Sequence, residues 1–429
     1  MNNTLSKHLD EIIHHCIHCG MCLPVCPTYN LTYQEQSSPR GRIRLMKSFH
    51  EDSLNLTDGF VNEMYFCLDC QACQTACPAG VHYGALVEDT RRIIAEQKKD
   101  PLNLRIIKAL VLRGVLTSKF RTKIVARLLR LYRRTGLRDA VEKSSILSLV
   151  SKELNERHSM LPDPNDTNFD ETIPEVISPE GAKRGRVAFL TGCVMNVAFA
   201  DVHRDAIEVL RANGFEIHIP KLQECCGSLH GHHGDIDTAK VLAKKVIDVF
   251  EKINMDFLVV NSAGCCAFIK EYETVLADDA QYAEKARMLS QKTREITEFL
   301  VEVGFKQPHT PFRKRITYHD ACHLVHTQKI SQQPRQILRS IPGVELIELP
   351  ESTWCCGSAG LYNVLQFEDS MKLLERKMVN IKTTNADIVT TANPGCHLQI
   401  QYGLKKFGLE MEILHPVSVL RMAYGNDIY

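Results

Sequence analysis

The sequence predicts an α+β chain in which a mostly helical N-terminal domain precedes a duplicated α/β pair. Three observations carry that expectation. The 17 cysteines fall into four groups, two compact ones near the N-terminus and two dispersed ones in the C-terminal half, with none between Cys77 and Cys193. The C-terminal half repeats itself. The steps from Cys193 to Cys225 and from Cys226 to Cys265 are 32 and 39 residues, and those from Cys322 to Cys355 and from Cys356 to Cys396 are 33 and 40. A shared spacing of this length marks an internal duplication. In both copies short apolar strands alternate with helical stretches, which is the pattern of βαβ units in a parallel sheet.

Composition narrows the classes. The chain has 429 residues, 44% apolar and 24% charged, which excludes a disordered, collagen-like or coiled-coil protein. Lys plus Arg is 52 against 51 Asp plus Glu, so the net charge of +1 exerts no global pull on nucleic acid. An odd number of cysteines cannot all pair within one chain, and the start MNNTLSKHLDEIIHHC has no secretory pattern. The expectation is a cytoplasmic protein whose reduced thiols hold metal.

The elements follow in order. Residues 1–98 hold Cys16-x-x-Cys19-x-x-Cys22-x-x-x-Cys26-Pro27 and its repeat Cys67-x-x-Cys70-x-x-Cys73-x-x-x-Cys77-Pro78. This is the spacing of a two-cluster [4Fe–4S] ferredoxin domain. Three thiolates two residues apart wrap one cube, and the fourth, before proline, leaves to ligate the other. Cys16, Cys19, Cys22 and Cys77 are therefore assigned to cluster 1, and Cys67, Cys70, Cys73 and Cys26 to cluster 2. Gly20 suits the close backbone approach of such a loop. A pair of structural zinc sites explains two compact four-cysteine runs poorly.

Residues 99–160 read as a basic helical connector. From Leu104 to about Leu137 it carries no acid, and Phe120, Ile124, Leu128 and Leu131 recur at helical spacing. Two readings stand: peripheral contact with an anionic membrane surface, or docking of the apolar side on the duplicated half or on a partner subunit. Residues 161–185, rich in Pro, Asp and Asn, read as a linker.

Residues 186–304 and 305–429 are the two copies, each a Cys-Cys-Gly module. The first opens at Arg186 and contains Cys193, Cys225, Cys226 and Cys265; the second opens with the strand at Arg315 and contains Cys322, Cys355, Cys356 and Cys396. Each marked cysteine is expected at the C-terminal end of a strand, the edge where open α/β sheets bind ligands. These eight cysteines are candidates for a further iron–sulfur centre. His319, Asp320, His323 and His397 have no counterparts in the first module, and either handle protons or act as a ligand near an electron acceptor, or serve as hydrogen-bonded loop ends. His230, His232 and His233 read as a polar loop, since no carboxylate constellation accompanies them. Ser38-Pro-Arg-Gly-Arg42 is either a docking site for an anionic or flavoprotein partner or local packing. Trp354 is expected to pack over its module. No Gly-x-Gly-x-x-Gly or Gly-x-x-x-x-Gly-Lys motif is present, so no nucleotide site of the chain's own is expected.

Taken together, the two ferredoxin runs, Ser38-Pro-Arg-Gly-Arg-Ile43, Cys73-Gln-Thr-Ala-Cys-Pro-Ala-Gly-Val81, Tyr318-His-Asp-Ala-Cys-His323, Cys355-Cys-Gly-Ser-Ala-Gly360 and Asn393-Pro-Gly-Cys-His-Leu-Gln399 resemble the iron–sulfur subunit of bacterial glycolate oxidase over nearly the whole chain. The resemblance implies an electron-transfer subunit of a flavin-linked 2-hydroxy-acid dehydrogenase. It would pass electrons from the FAD of a partner flavoprotein to an acceptor, quinone, and would not be catalytic toward the acid alone. It also implies a site on or near the inner face of the cell membrane. In relatives that reduce heterodisulfides each module ends in Cys-x-x-Cys. Here the closing cysteine is absent after both Cys265 and Cys396, with Cys266 a possible substitute in the first module. Two alternatives remain open: a thiol–disulfide reductase working at the Cys-Cys-Gly rim, and the iron–sulfur subunit of an anaerobic glycerol-3-phosphate dehydrogenase.

Overall fold

The computed structural model describes residues 7–98, 105–106, 108–144, 147 and 151–425; the start of the connector, 99–104, lies outside them. In the N-terminal domain, helices Lys7–His14, Pro39–His50, Asp58–Phe66 and Tyr83–Gln97 share a core of Ile12, Ile13, Ile43, Met46, Phe49, Phe60, Met64, Leu86 and Val87. The two cysteine runs occupy the loops between them. Pro27 opens the short helix Pro27–Thr32 with Cys26 extended at its N-cap. A residue before proline is steered out of the helical region, so Cys26 leaves the loop that its run began.

The modules form two sheets. β1 (Val176–Ile177), β2 (Gly185–Phe189), β3 (Phe215–His218), β4 (Phe257–Val260) and β5 (Thr293–Glu295) lie in the order β1-β3-β2-β4-β5. β6 (Lys314–Tyr318), β7 (Val344–Ile347), β8 (Ile388–Thr390) and β9 (Glu412–Leu414) lie in the order β7-β6-β8-β9. All pairings are parallel except that of β1 with β3. The shared order β3-β2-β4-β5 and β7-β6-β8-β9 restates the duplication in three dimensions. Strand order reverses between β2 and β4 and between β6 and β8, and such switch points are where open α/β sheets bind ligands.

Two differences from the sequence expectation concern the linker and the connector. The linker is not irregular throughout: helix Phe169–Thr172 and edge strand β1 build it into the first module. The connector helix Lys119–Arg134 lies the opposite way round from the docking expectation. Its basic side faces the protein, where Lys119 and Lys123 meet Asp170 at 3.0 and 2.7 Å and Arg127 meets Glu171 at 3.2 Å. Arg133 and Arg134 meet Asp166, and Arg130 donates to Asn168. Its apolar stripe faces solvent, with Phe120, Ile124, Leu128 and Leu131 exposed by 68, 39, 61 and 59%. The acids that neutralise the helix all come from the linker, so the acid-free connector and the acid-rich linker are two halves of one contact.

The modules face each other across a common core in which Val187, Phe189 and Val259 of the first pack with Ile316, Tyr318 and Ile388 of the second. At the switch points Ala263 N donates to Ala392 O at 3.0 Å and Gly264 N to Asn393 Oδ1 at 3.2 Å. This cross-strapping brings the two cysteine rims face to face.

Candidate metal centres

Cys16, Cys19, Cys22 and Cys77 line one cavity together with Pro39, Arg40 and Tyr83; Cys73 also reaches its wall. Arg40 donates to His18 O at 3.1 Å and is held by Glu35 at 2.8 Å, which closes the first loop from outside. Cys19 is exposed. Burial pushes the Cys22 thiol up to about 11.

The second set is deeper. Cys26, Cys70 and Cys73 are buried and Cys67 is half-buried. The charge on Cys26 is felt at Cys70 and Cys73, and that on Cys67 at Cys26. Burial drives the Cys70 and Cys73 thiols far up. Thiols in such a place become thiolates only beside a cation, so four of them around one point suit a metal cluster and suit little else. Arg42, 0% exposed, supplies a fixed positive charge here. It donates to Thr28 Oγ1 at 2.9 Å and to Glu63 O at 2.8 Å, and lowers the Cys26 thiol against its burial. Tyr83 Oη donates to Cys67 Sγ at 3.6 Å. The Ser38-Pro-Arg-Gly-Arg segment is thus local packing and not a free docking site: Ser38 caps the helix Pro39–His50 through Gly41 N at 3.0 Å, and both arginines are engaged by the chain itself.

All eight module cysteines, Cys193, Cys225, Cys226, Cys265, Cys322, Cys355, Cys356 and Cys396, line a single cavity of about 680 Å³ between the two rims, and Cys67 and Asp69 of the second run reach the same cavity. The Cys-Cys-Gly glycines explain how the paired cysteines are presented. Gly227 and Gly357 have φ of +90° and +89°. A Cβ there would lie 3.1 Å from Ala239 O and 2.6 Å from Ser370 O respectively. Only glycine tolerates both the left-handed turn and the close approach. In the first module Cys193 Sγ and Cys225 Sγ are 3.6 Å apart. Cys266 is 0% exposed within the core that contains Phe268 and Tyr272 and has Lys270, Glu295 and Glu298 as charged neighbours, so it does not stand in for the missing closing cysteine.

The second run docks on the second module. Cys70 packs with Cys322, Cys355, Trp354 and Tyr362 in one apolar cluster. His323 Nε2 bonds to Asp69 O at 3.2 Å, His326 Nδ1 to Thr75 Oγ1 at 3.1 Å, and Thr327 Oγ1 donates to Gln71 Oε1 at 2.9 Å. The first module meets the ferredoxin domain through His232, whose Nδ1 lies 2.6 Å from Glu88 Oε1 and 3.5 Å from Asp69 Oδ2. The two carboxylates hold its pKa well above the ordinary imidazole value despite burial. The carboxylates missing around this histidine in the local sequence are supplied by the other domain. His230 instead bonds to Leu112 O, and His233 accepts from Leu361 N, so the three rings diverge.

Among the polar groups peculiar to the second module, Asp320 is paired with Arg335 at 2.7 Å and the His397 ring lies edge-on to Phe199. Lys377, which sequence reading missed, is 0% exposed and donates to Glu351 O at 2.6 Å. Burial lowers its pKa to about 8, and the neighbouring Cys356 and Cys355 oppose that shift. Its signal was a lysine on the buried face Ser370, Leu373, Leu374, Met378 and Ile381 of helix Phe367–Thr383.

Known proteins bear on this arrangement. A profile described as "4Fe-4S dicluster domain" matches residues 12–81. One described as "Cysteine-rich domain" matches residues 187–270 and 316–401. One described as "Glycolate oxidase iron-sulfur subunit, linker region" matches residues 103–161. The chain is 38% identical to the probable glycolate oxidase iron-sulfur subunit of Bacillus subtilis over 99% of its own length and 97% of the relative's. It is 28% identical to the glycolate oxidase iron-sulfur subunit of Escherichia coli over 93% and 92% of the two chains. Lactate utilization protein A of Oceanobacillus iheyensis is 30% identical over 55% of this chain and 96% of its own. A solved structure of a hypothetical protein from Helicobacter pylori shares the fold with a TM-score of 0.59 at 10% identity, covering 99% of this chain and 74% of that one.

Proposed function

This chain belongs to the family of the glycolate oxidase iron–sulfur subunits, and from that premise we propose that it accepts electrons from the FAD of a partner 2-hydroxy-acid dehydrogenase and delivers them to quinone at a membrane surface. The coarser role is that of an iron–sulfur electron-transfer subunit of a hydroxy-acid oxidation complex. Two [4Fe–4S] clusters supply one-electron chemistry, cluster 1 on Cys16, Cys19, Cys22 and Cys77 and cluster 2 on Cys67, Cys70, Cys73 and Cys26. A further iron–sulfur centre is drawn from the rim cysteines of the second module.

The observation that carries the reading is the apolar cluster joining Cys70 to Cys322 and Cys355. It makes the buried second run the neighbour of the second module, while the first run keeps Cys19 at the surface. The chain's own residues fix these neighbours by direct hydrogen bonds and set Arg42 and Lys377 as buried positive charges beside the thiolates. The shared cavity would also suit a disulfide-reducing enzyme, but Gln399, at the closing position of the second module, is tied to Ser370 and Asn363 instead.

The exposed stripe of Phe120, Ile124, Leu128 and Leu131, with Arg121 exposed nearby, is the surface we assign to an anionic bilayer. Full burial of such side chains stabilises by roughly 1.5–3 kcal/mol each. No helix among the described residues is long and apolar enough to cross a membrane, so the contact is peripheral.

Anaerobic copurification of the native complex, with separate flavin and iron analysis of each chain, tests the division of labour. The expected result is iron without flavin on this chain, and glycolate-dependent flavin reduction in the partner without it. Stoichiometric FAD on this chain would overturn the reading. Phe120→Asp with Leu128→Asp should abolish flotation with anionic vesicles and leave iron content unchanged.

A further inference from the structure

In the second module β6 ends at Tyr318 and the chain turns through His319, Asp320 and Ala321 into Cys322. His319 N donates to Thr390 O at 2.9 Å, and Leu190 N donates to Val259 O at 3.1 Å. The two residues therefore hold the same place, just past the first strand of each module's parallel sheet. Leu190 is an apolar plug, 2% exposed; His319 is 1% exposed. Burying an imidazole is costly unless its nitrogens find partners. Among the described residues neither Nδ1 nor Nε2 of His319 makes a hydrogen bond of normal geometry, and the Ser352 backbone is only a weak polar neighbour. What the ring meets is sulfur. One of its nitrogens and the Sγ atoms of Cys356 and Cys396 all lie within 4.8 Å of one another. An imidazole without a hydrogen-bond partner beside two thiols is placed to offer a ring nitrogen to a metal. Of the neighbouring polar groups, Asp320 is paired with Arg335, while His323 and His326 each tie one ring nitrogen to the ferredoxin domain, at Asp69 O and Thr75 Oγ1.

We propose that His319 is a metal ligand, the nitrogen donor of an iron–sulfur centre whose sulfur donors are Cys322, Cys355, Cys356 and Cys396. It takes the place of the thiolate that position 399 does not provide. This rests on the reading that the second rim holds such a centre. A neutral imidazole in place of a thiolate removes one negative charge from the ligand set, and the Lys377 ammonium beside Cys355 and Cys356 adds a positive one. Both make reduction easier, as nitrogen ligation does in mixed Cys/His clusters. The second module is thereby built to hold an electron more firmly than an all-cysteine centre.

The test is performed on the full chain purified without oxygen from cells fed 15N-histidine. In the wild type, a reduced iron–sulfur EPR signal beyond those of the two ferredoxin clusters should show 15N hyperfine coupling. The coupling should vanish in both His319→Cys and His319→Ala. His319→Cys should keep the centre and shift its midpoint potential to a lower value. A third signal that carries no histidine coupling, or whose coupling and potential survive His319→Cys, overturns the ligand assignment while the centre itself stands. Only eight irons and no third signal in the wild type, or zinc at this rim, overturns the reading beneath it as well.

Discussion

The two Cys-Cys-Gly modules have the same strand order, the same left-handed glycine behind the paired cysteines and four rim cysteines at matching places, yet their rims differ in chemistry. The first module plugs the end of its opening strand with Leu190 and directs Cys266 into its core. Its buried His230 binds Leu112 O through Nε2 and has Cys225 as its thiol neighbour. The second places an unpartnered imidazole and a buried ammonium around its thiols, and it alone packs its cysteines against Cys70. A duplication supplies two scaffolds, and the electrostatics and contacts added to one of them decide which scaffold joins the electron path.

The largest effect should come from removing a first-strand cysteine in each module. Cys322→Ser should cost the chain its further centre, a loss of about four irons if that centre is a four-iron cluster, while Cys193→Ser should leave the iron content as it was. Metal analysis of anaerobic preparations reads this directly, and equal losses from both would erase the distinction. Next comes Lys377→Met. It removes the charged donor from Glu351 O, which keeps its bond from Trp354 N, so roughly 0.5–1.5 kcal/mol of stability should be lost in denaturant unfolding, and the potential of the second-module centre should fall. Val246→Met, at the matching place in the first module, should cost about 1–3 kcal/mol by overpacking and shift no potential. The smallest effect belongs to Cys266→Ala, which should cost on the order of 1 kcal/mol as a small core deletion and leave every iron signal in place. A lost cluster there would return Cys266 to the ligand set.

Much of this arrangement was legible in the sequence because cysteine spacing reports local geometry. The two runs, the 32/39 and 33/40 steps and the strands that precede Cys193, Cys265, Cys322 and Cys396 all follow from near-neighbour chemistry. Relations between distant segments were not legible. The acids that answer the basic connector sit in the linker at Asp163, Asp166, Asp170 and Glu171. Periodicity alone therefore showed an amphipathic helix without showing which side was free. The carboxylates around His232 come from residues 69 and 88, and no window around the histidine contains them. Short strands β1, β5 and β9, of two or three residues, fall below what alternation can reveal. Arg42 was visible in its motif, but its burial beside Cys26 depends on Thr28 and Glu63 folding over it.

The central claim is that the second run's cluster is the neighbour of a centre in the second module and not of one in the first. EPR of the fully reduced chain measures this through magnetic interaction between neighbouring spins. The account predicts that the interaction broadening on the signal lost in Cys70→Ser is partly relieved in Cys322→Ser and is unchanged in Cys193→Ser. A Cys322→Ser spectrum identical to that of the wild type, or relief only in Cys193→Ser, would contradict it.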